Sequence, residues 1–163
     1  METILGTVLV GVGATAMIDL WAVFRERAFG IPRPDYALVG RWLAHMRSGR
    51  FRHERISAAT VVPGERALGW TAHYLIGIAF AAVLVGVAGR AWLQQPASIP
   101  ALLVGIGTSA APFLLLQPGM GAGIAACRTP RPSAARIQTL VTHSVFGLGL
   151  YAAGWAFRFI HAT

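Results

Sequence analysis

The stretch 9–21, LVGVGATAMIDLW, decides how the chain is read. It is apolar enough to lie inside a membrane, yet it contains an acid, Asp19. A carboxylate at the middle of a membrane helix costs roughly 2.5–3.5 kcal/mol on insertion scales, so Asp19 needs a partner or a purpose. The apolar run around it extends over 4–24, and three more runs, 67–88, 101–122 and 137–159, follow it. Each is long enough to cross a bilayer core, which takes about 20 helical residues. The expected fold is all-α: a polytopic membrane protein whose four transmembrane helices form one bundle. Residues 1–163 are read as a single membrane domain.

Composition agrees. The chain is 55% hydrophobic and only 12% charged, with a mean hydropathy of +0.59. A soluble domain would carry about a quarter charged residues. The net charge of +8 comes entirely from arginine, since lysine is absent. Such a balance can signal nucleic-acid binding, but here the arginines cluster between the apolar runs, which points to membrane topology. Cys127 is the sole cysteine, which excludes an intrachain disulfide and a cysteine-based zinc site. The first run is read as an uncleaved span. Ala14-Thr15-Ala16 resembles a cleavage site, but Glu2 is the only charged side chain before Asp19, so a positive leader region is missing.

Orientation follows from the connections. Nine arginines lie between the first and second runs, and Arg128, Arg131 and Arg136 lie between the third and fourth; Arg90 and Arg158 stand alone on the opposite side. Twelve against two places the termini away from the cytoplasm. The first cytoplasmic connection, 25–66, is too long to be a mere turn. Within it, Asp35 is placed to cap a short amphipathic helix over about 35–47. Leu38, Val39, Trp42, Leu43 and Met46 share its apolar face, with Arg41 and His45 off that face. This helix either anchors the loop at the membrane surface or closes the cytoplasmic mouth, with Arg41 and His45 as its gate. RSGRFRHER, 47–55, reads as a basic stretch near anionic headgroups.

A faint repeat runs through the chain. PRPD at 32–35 and PRPS at 130–133 lie 98 residues apart, as do Asp19 and Gln117. In each half, a PRP turn precedes an Asp or Ser placed to cap the next helix. His73 and His143 are each followed four residues later by glycine, at a different offset. The pattern suggests two parallel two-helix halves.

Placed by depth at about 1.5 Å per residue, Asp19, His73, Gln117 and His143 fall at one level, slightly to the cytoplasmic side of centre. Three stripes of small and polar residues support a meeting: Thr7, Gly11, Thr15 and Asp19; Gly69, His73, Gly77 and Ala81; and Thr139, His143, Gly147 and Tyr151. Small residues at that spacing let membrane helices approach closely. Pro112 and Gln117-Pro118-Gly119 break the third span near the same level, and broken helices at membrane depth usually line a cavity. Such a layer could relay protons. It could also ligate a haem through His73 and His143, or a metal through those histidines and Asp19, although no further His or Cys motif accompanies the pair. In the purely structural alternative, Asp19 and one histidine form a buried pair that fixes helix register. Trp70, Tyr74, Trp92 and Trp155 read as interfacial or packing aromatics. Glu65 and Arg66 read as a helix cap or as partners for loop charges. Gly119, Gly121 and Gly123 lack the Lys-Ser/Thr and preceding strand of a phosphate loop.

At GVGATAMIDLW (11–21), DYALVGRWLAHM (35–46), GERALGWTAHYLIG (64–77) and QPGMGAGIAACRTPRP running on to THSVFGLGLY (117–151), the chain resembles a bacterial family of small integral membrane proteins catalogued as domain of unknown function 2938. The resemblance implies a bacterial inner-membrane protein of four spans. It implies no activity.

The function expected from the residues is transporter-like or channel-like movement of a proton, ion or small solute. Asp19 is the proton or cation site, His73 and His143 are its relay partners, and Gln117 is a hydrogen-bonding ligand at the helix break. The outer half offers this route only hydroxyls: Thr7, Thr15, Thr108, Ser109 and Tyr151. The alternatives are a membrane redox protein or enzyme with a haem or metal, and a non-catalytic helper of a membrane complex. No cofactor is expected on the leading reading. Its partners are the lipid bilayer and a second copy of the chain or another membrane protein, not nucleic acid.

Overall fold

The computed structural model describes residues 1–161. Every regular element among them is helical. Helix α1 spans Glu2–Phe29, α2 Tyr36–Met46, α3 Glu65–Ala88, α4 Ser98–Gly107, α5 Gln117–Met120 and α6 Pro132–His161. Helices α4 and α5 and the π turn Pro112–Leu116 between them belong to one long helical run, Ser98–Met120. That run, α1, α3 and α6 are the four helices long and apolar enough to cross a membrane. All four begin before the apolar stretch that announced them, and α1 and α6 also run past its end, while the third run stops at Met120, two residues short of its stretch. Many large apolar side chains stay on the outside, among them Leu20, Leu75, Val87, Leu103 and Phe159. In water such a surface would aggregate; in lipid it is the solvated face.

Local chemistry sets the boundaries. Gly30 ends α1 in the left-handed region at φ 65°, and its amide donates to the Glu26 carbonyl at 3.0 Å. Asp35 caps α2, accepting from the Ala37 amide at 3.0 Å. The two PRP stretches open helices of different kinds. PRPD leads into the 11-residue α2, while Pro132 itself begins the 30-residue α6, so Ser133 lies inside that helix and does not cap it. Proline at a helix start loses nothing, because the amide it lacks would have no partner there.

The chain forms two compact units. The first comprises Met1–Arg33, Tyr74–Thr108 and the chain from Val141 onward. Here parts of all four spanning helices pack around one apolar core, with Val10, Ala14, Leu84, Ala101 and Leu150 fully buried. Glycines set the helix spacing. A Cβ on Gly11 would fall 2.5 Å from the Ile78 Cα, and one on Gly105 would fall 2.5 Å from the Gly147 Cα. Gly77 faces Thr15 and Gly11 in return. The stripes read from the sequence are therefore the contact lines of α1 on α3 and of α4 on α6. Trp92 sits in this core at 3% exposure and donates from Nε1 to the Ala97 carbonyl, in keeping with the packing side of its reading.

The second unit comprises Pro34–His73 and Ser109–Leu140. Helix α2 lies against the start of α3 so closely that a Cβ on Gly40 would overlap the Glu65 carbonyl. Among the residues of α2, the buried pair is Gly40 and Arg41, while Leu38, Val39, Trp42, Leu43 and Met46 are only half-buried. Backbone contact at Gly40 decides which face turns inward, rather than the apolar stripe. After α5 the chain turns sharply through Ala125 at φ 47° and Ala126 at φ 59°, a conformation that costs a non-glycine residue about 1–2 kcal/mol.

Candidate functional site in the spanning helices

Asp19 is in the second half of α1, inside the apolar window, and is half-buried. The Tyr74 hydroxyl on α3 donates to its Oδ2 at 3.0 Å. Tyr74 was expected only as a packing or interfacial aromatic, and this bond corrects that reading. A buried phenol seeks a hydrogen-bond partner, and a carboxylate in a span seeks a donor. That shared need was the available sequence signal, since the two lie at similar depth.

The other residues of the expected layer have partners of the same modest kind. His143 lies in the first unit with Asp19, and its hydrogen bonds go to the end of α4. Its Nδ1 is 3.1 Å from Thr108 Oγ1 and 3.2 Å from the Gly105 carbonyl. A carbonyl only accepts, so that contact requires a proton on Nδ1. Phe80 and Phe146 continue the ring cluster beside it. Gln117 lies in the second unit, where its Nε2 donates to Thr139 Oγ1 at 3.3 Å, while Thr139 donates onward to the Ala135 carbonyl. Gln117 Oε1 is buried with no hydrogen-bond partner among the described residues. Such an orphan acceptor asks for a donor such as a water, a cation or a ligand N–H. It sits directly after the π turn, where the Gln117 amide bonds back five residues to the Pro112 carbonyl. Short π turns inside helices recur at functional sites, and Pro112 supplies the cause here because it has no amide to offer the preceding turn. His73, also in the second unit, stacks on Tyr36 with ring centroids 4.0 Å apart and meets Trp70 edge-on at 5.8 Å.

Arg41 is the most heavily engaged polar residue of the second unit. Its Nε and Nη2 grip Glu65 at 2.8 and 2.7 Å, and Nη1 reaches the carbonyls of Ile56, Ser57 and Ala59 at 3.2–3.3 Å. The hydrogen bond to Glu65 holds the guanidinium proton beyond even the ordinary arginine range. Glu65 thus pairs with a loop charge, and its Oε2 also accepts from the Val62 amide at 3.0 Å just ahead of α3, so both readings of Glu65 have support. A fork of this geometry ties α2, the 56–59 turn and the head of α3 together. His45 Nδ1 lies 2.9 Å from His53 Nε2, so the two rings share one proton between them. His53 is a partner the sequence reading missed, since it lies in the basic stretch taken as solvated. The described residues hold no cluster of three or more His, Cys, Asp or Glu that could take a metal.

Fold and site together define a class: a protein helical throughout its described residues, with four helices long and apolar enough to cross a membrane, in which an acid, a histidine and an amide are each hydrogen-bonded to a hydroxyl of another helix segment. The chain belongs to the family described as "Protein of unknown function (DUF2938)", whose model matches residues 8–157. Neither the curated proteins nor the solved structures contain a match to it.

Proposed function

We propose that the protein moves a proton, small cation or small solute across the bacterial inner membrane, with Asp19 as the site of uptake. The observation that carries this reading is the Asp19–Tyr74 hydrogen bond between two membrane-crossing helices. A carboxylate bonded to a phenol can pass a proton without either group leaving its place, and intramembrane acids commonly mark such pathways. The orphan Gln117 Oε1 beside the π turn supports a second polar station. His143 and His73 add two imidazoles to the polar side chains of these helices. The arginine count supports an orientation with both termini on the outer side.

The packing supports a carrier over an open pore. In the first unit Val10, Ala14, Thr15, Leu84 and Leu150 are all fully buried, and the Thr15 hydroxyl is taken by the Gly11 carbonyl at 2.7 Å. The hydroxyls of Thr7 and Thr15 both bond back to carbonyls of their own helix, at 2.8 and 2.7 Å. Movement past that core requires helices to shift, for which the glycine contact lines are suited.

The test is flux in liposomes holding the purified protein, read with an internal pH dye under an imposed pH or cation gradient. Asp19→Asn keeps the size of the side chain and removes its charge, so flux should fall by more than about tenfold, as for loss of an essential proton carrier. Asp19→Glu should recover part of it. Tyr74→Phe should slow flux less and destabilise the fold by about 0.6 kcal/mol, a typical hydrogen bond between membrane helices. A folded Asp19→Asn protein with wild-type flux, or a wild-type protein that moves none of the tested species, would remove Asp19 from the mechanism.

A further inference from the structure

The sequence places only two arginines opposite the twelve that mark the cytoplasmic side, and the structure brings both to one recess. Arg90, from the turn after α3, and Arg158, from the last turn of α6, line a cavity of about 420 Å³ together with Gln94, His161, Glu2 and Phe157. The recess lies entirely within the first unit. Among the described residues the ion pairs are Arg33–Glu26 and Arg41–Glu65, so neither Arg90 nor Arg158 is neutralised, although Glu2 shares the cavity. Its floor is apolar: Phe157 is 6% exposed. The Arg158 guanidinium lies 4.8 Å from the Trp155 ring centroid, a contact that stiffens the side chain. His161 Nδ1 donates to the Phe157 carbonyl at 3.0 Å, which fixes the position of the ring.

We propose that this recess binds a phosphoryl group. Arg90, Arg158 and Gln94 line the recess with side chains rich in N–H donors, and arginine favours phosphate through paired charge-assisted hydrogen bonds. Arginine is disfavoured on the outer side of a membrane protein, so two of them meeting at one cavity call for an anion to offset their charge. Glu2 gives the same recess an acceptor for a hydroxyl or ammonium beside the phosphate. The apolar floor accepts the carbon skeleton that carries it. A membrane-lipid headgroup and a small soluble phosphate ester both present this chemistry. The site stands apart from Asp19, and its occupation does not depend on transport.

Two probes separate the sources in the purified full chain. Glycerol phosphate is titrated in detergent, followed by thermal stabilisation. Phosphatidylglycerol is offered in nanodiscs, with retention on the released protein read by native mass spectrometry. Binding of the lipid alone assigns a headgroup site, and binding of glycerol phosphate alone assigns a soluble ester. In either case Arg90→Gln and Arg158→Gln should each weaken binding about tenfold, the loss expected for one charge-assisted contact. The single controls Arg128→Gln and Arg131→Gln each remove the same charge elsewhere and should leave binding unchanged. Should the glutamine variants fail to fold, Arg90→Lys/Arg158→Lys keeps the charge but loses the forks, and it should also bind more weakly than wild type. The proposal is overturned if neither probe binds, if the folded arginine variants bind as well as wild type, or if the controls lose binding equally.

Discussion

Single side chains in this protein are satisfied by neighbours that sequence spacing does not reveal. Asp19 finds the Tyr74 hydroxyl, Gln117 finds Thr139, and His143 finds Thr108. Arg41 shows how much one residue can organise, since it pairs with Glu65 and also receives three backbone carbonyls of the 56–59 turn. An aspartate or serine could not span those groups, and lysine lacks the fork. Arg41→Ala should therefore free the connection between α2 and α3. Limited proteolysis within 47–62 should speed up roughly tenfold if cleavage follows the population of the opened loop. Arg41→Lys should lie between alanine and wild type, and equal cleavage of all three proteins would show that the guanidinium does not hold the loop.

Among the elements, the spanning helices are held at the distances their glycines allow. Gly105→Ala places a Cβ 2.5 Å from the Gly147 Cα, so α4 and α6 must separate. Forced overpacking of this kind costs about 1–3 kcal/mol, and unfolding in mixed micelles should register it. Gly86 on α3 is the counter-example, because nothing lies within 4 Å of the Cβ it would gain. Gly86→Ala should be neutral or stabilise by up to about 1 kcal/mol, the ordinary helix preference for alanine. Equal effects at the two positions would mean that close approach does not set the helix spacing. The π turn Pro112–Leu116 adds a different kind of control, for it rotates Gln117 relative to a regular helix, and the buried Oε1 of Gln117 has no hydrogen-bond partner among the described residues.

At the scale of the whole molecule, charge distribution determines how the helices would insert. With the arginines of the first and third connections held in the cytoplasm, a reporter fused after α6 should be active only as an enzyme that needs export, such as alkaline phosphatase. A fluorescent protein at the same place should stay dark. Inserted between residues 48 and 50, the pattern should reverse. The opposite result at either place would invert the orientation and move the Arg90–Arg158 recess to the cytoplasmic face.

The four spans, the short loop helix and its Asp35 cap were legible in the sequence, because run length, periodicity and capping are local properties of a chain. The inward stripes were legible as well, since Gly11, Gly77 and Gly147 each lie on a small-residue stripe of their helix, whereas Gly105, which faces Gly147 from α4, lay on none. Asp19 was recognisable as an anomaly for the same reason: a charge inside an apolar run is costly wherever the run packs. Only the tertiary structure decided what meets what. A step of one residue turns a helix face by about 100°, so the meeting of the Tyr74 hydroxyl with Asp19 depends on helix rotation and crossing, which local pattern does not encode. The same holds for Arg41, assigned to the polar face of an amphipathic helix and found buried because backbone contact at Gly40 turns that face inward. It holds again for Arg90 and Arg158, 68 positions apart in the chain and joined in one recess because the turn after α3 and the end of α6 lie at the same end of the first unit.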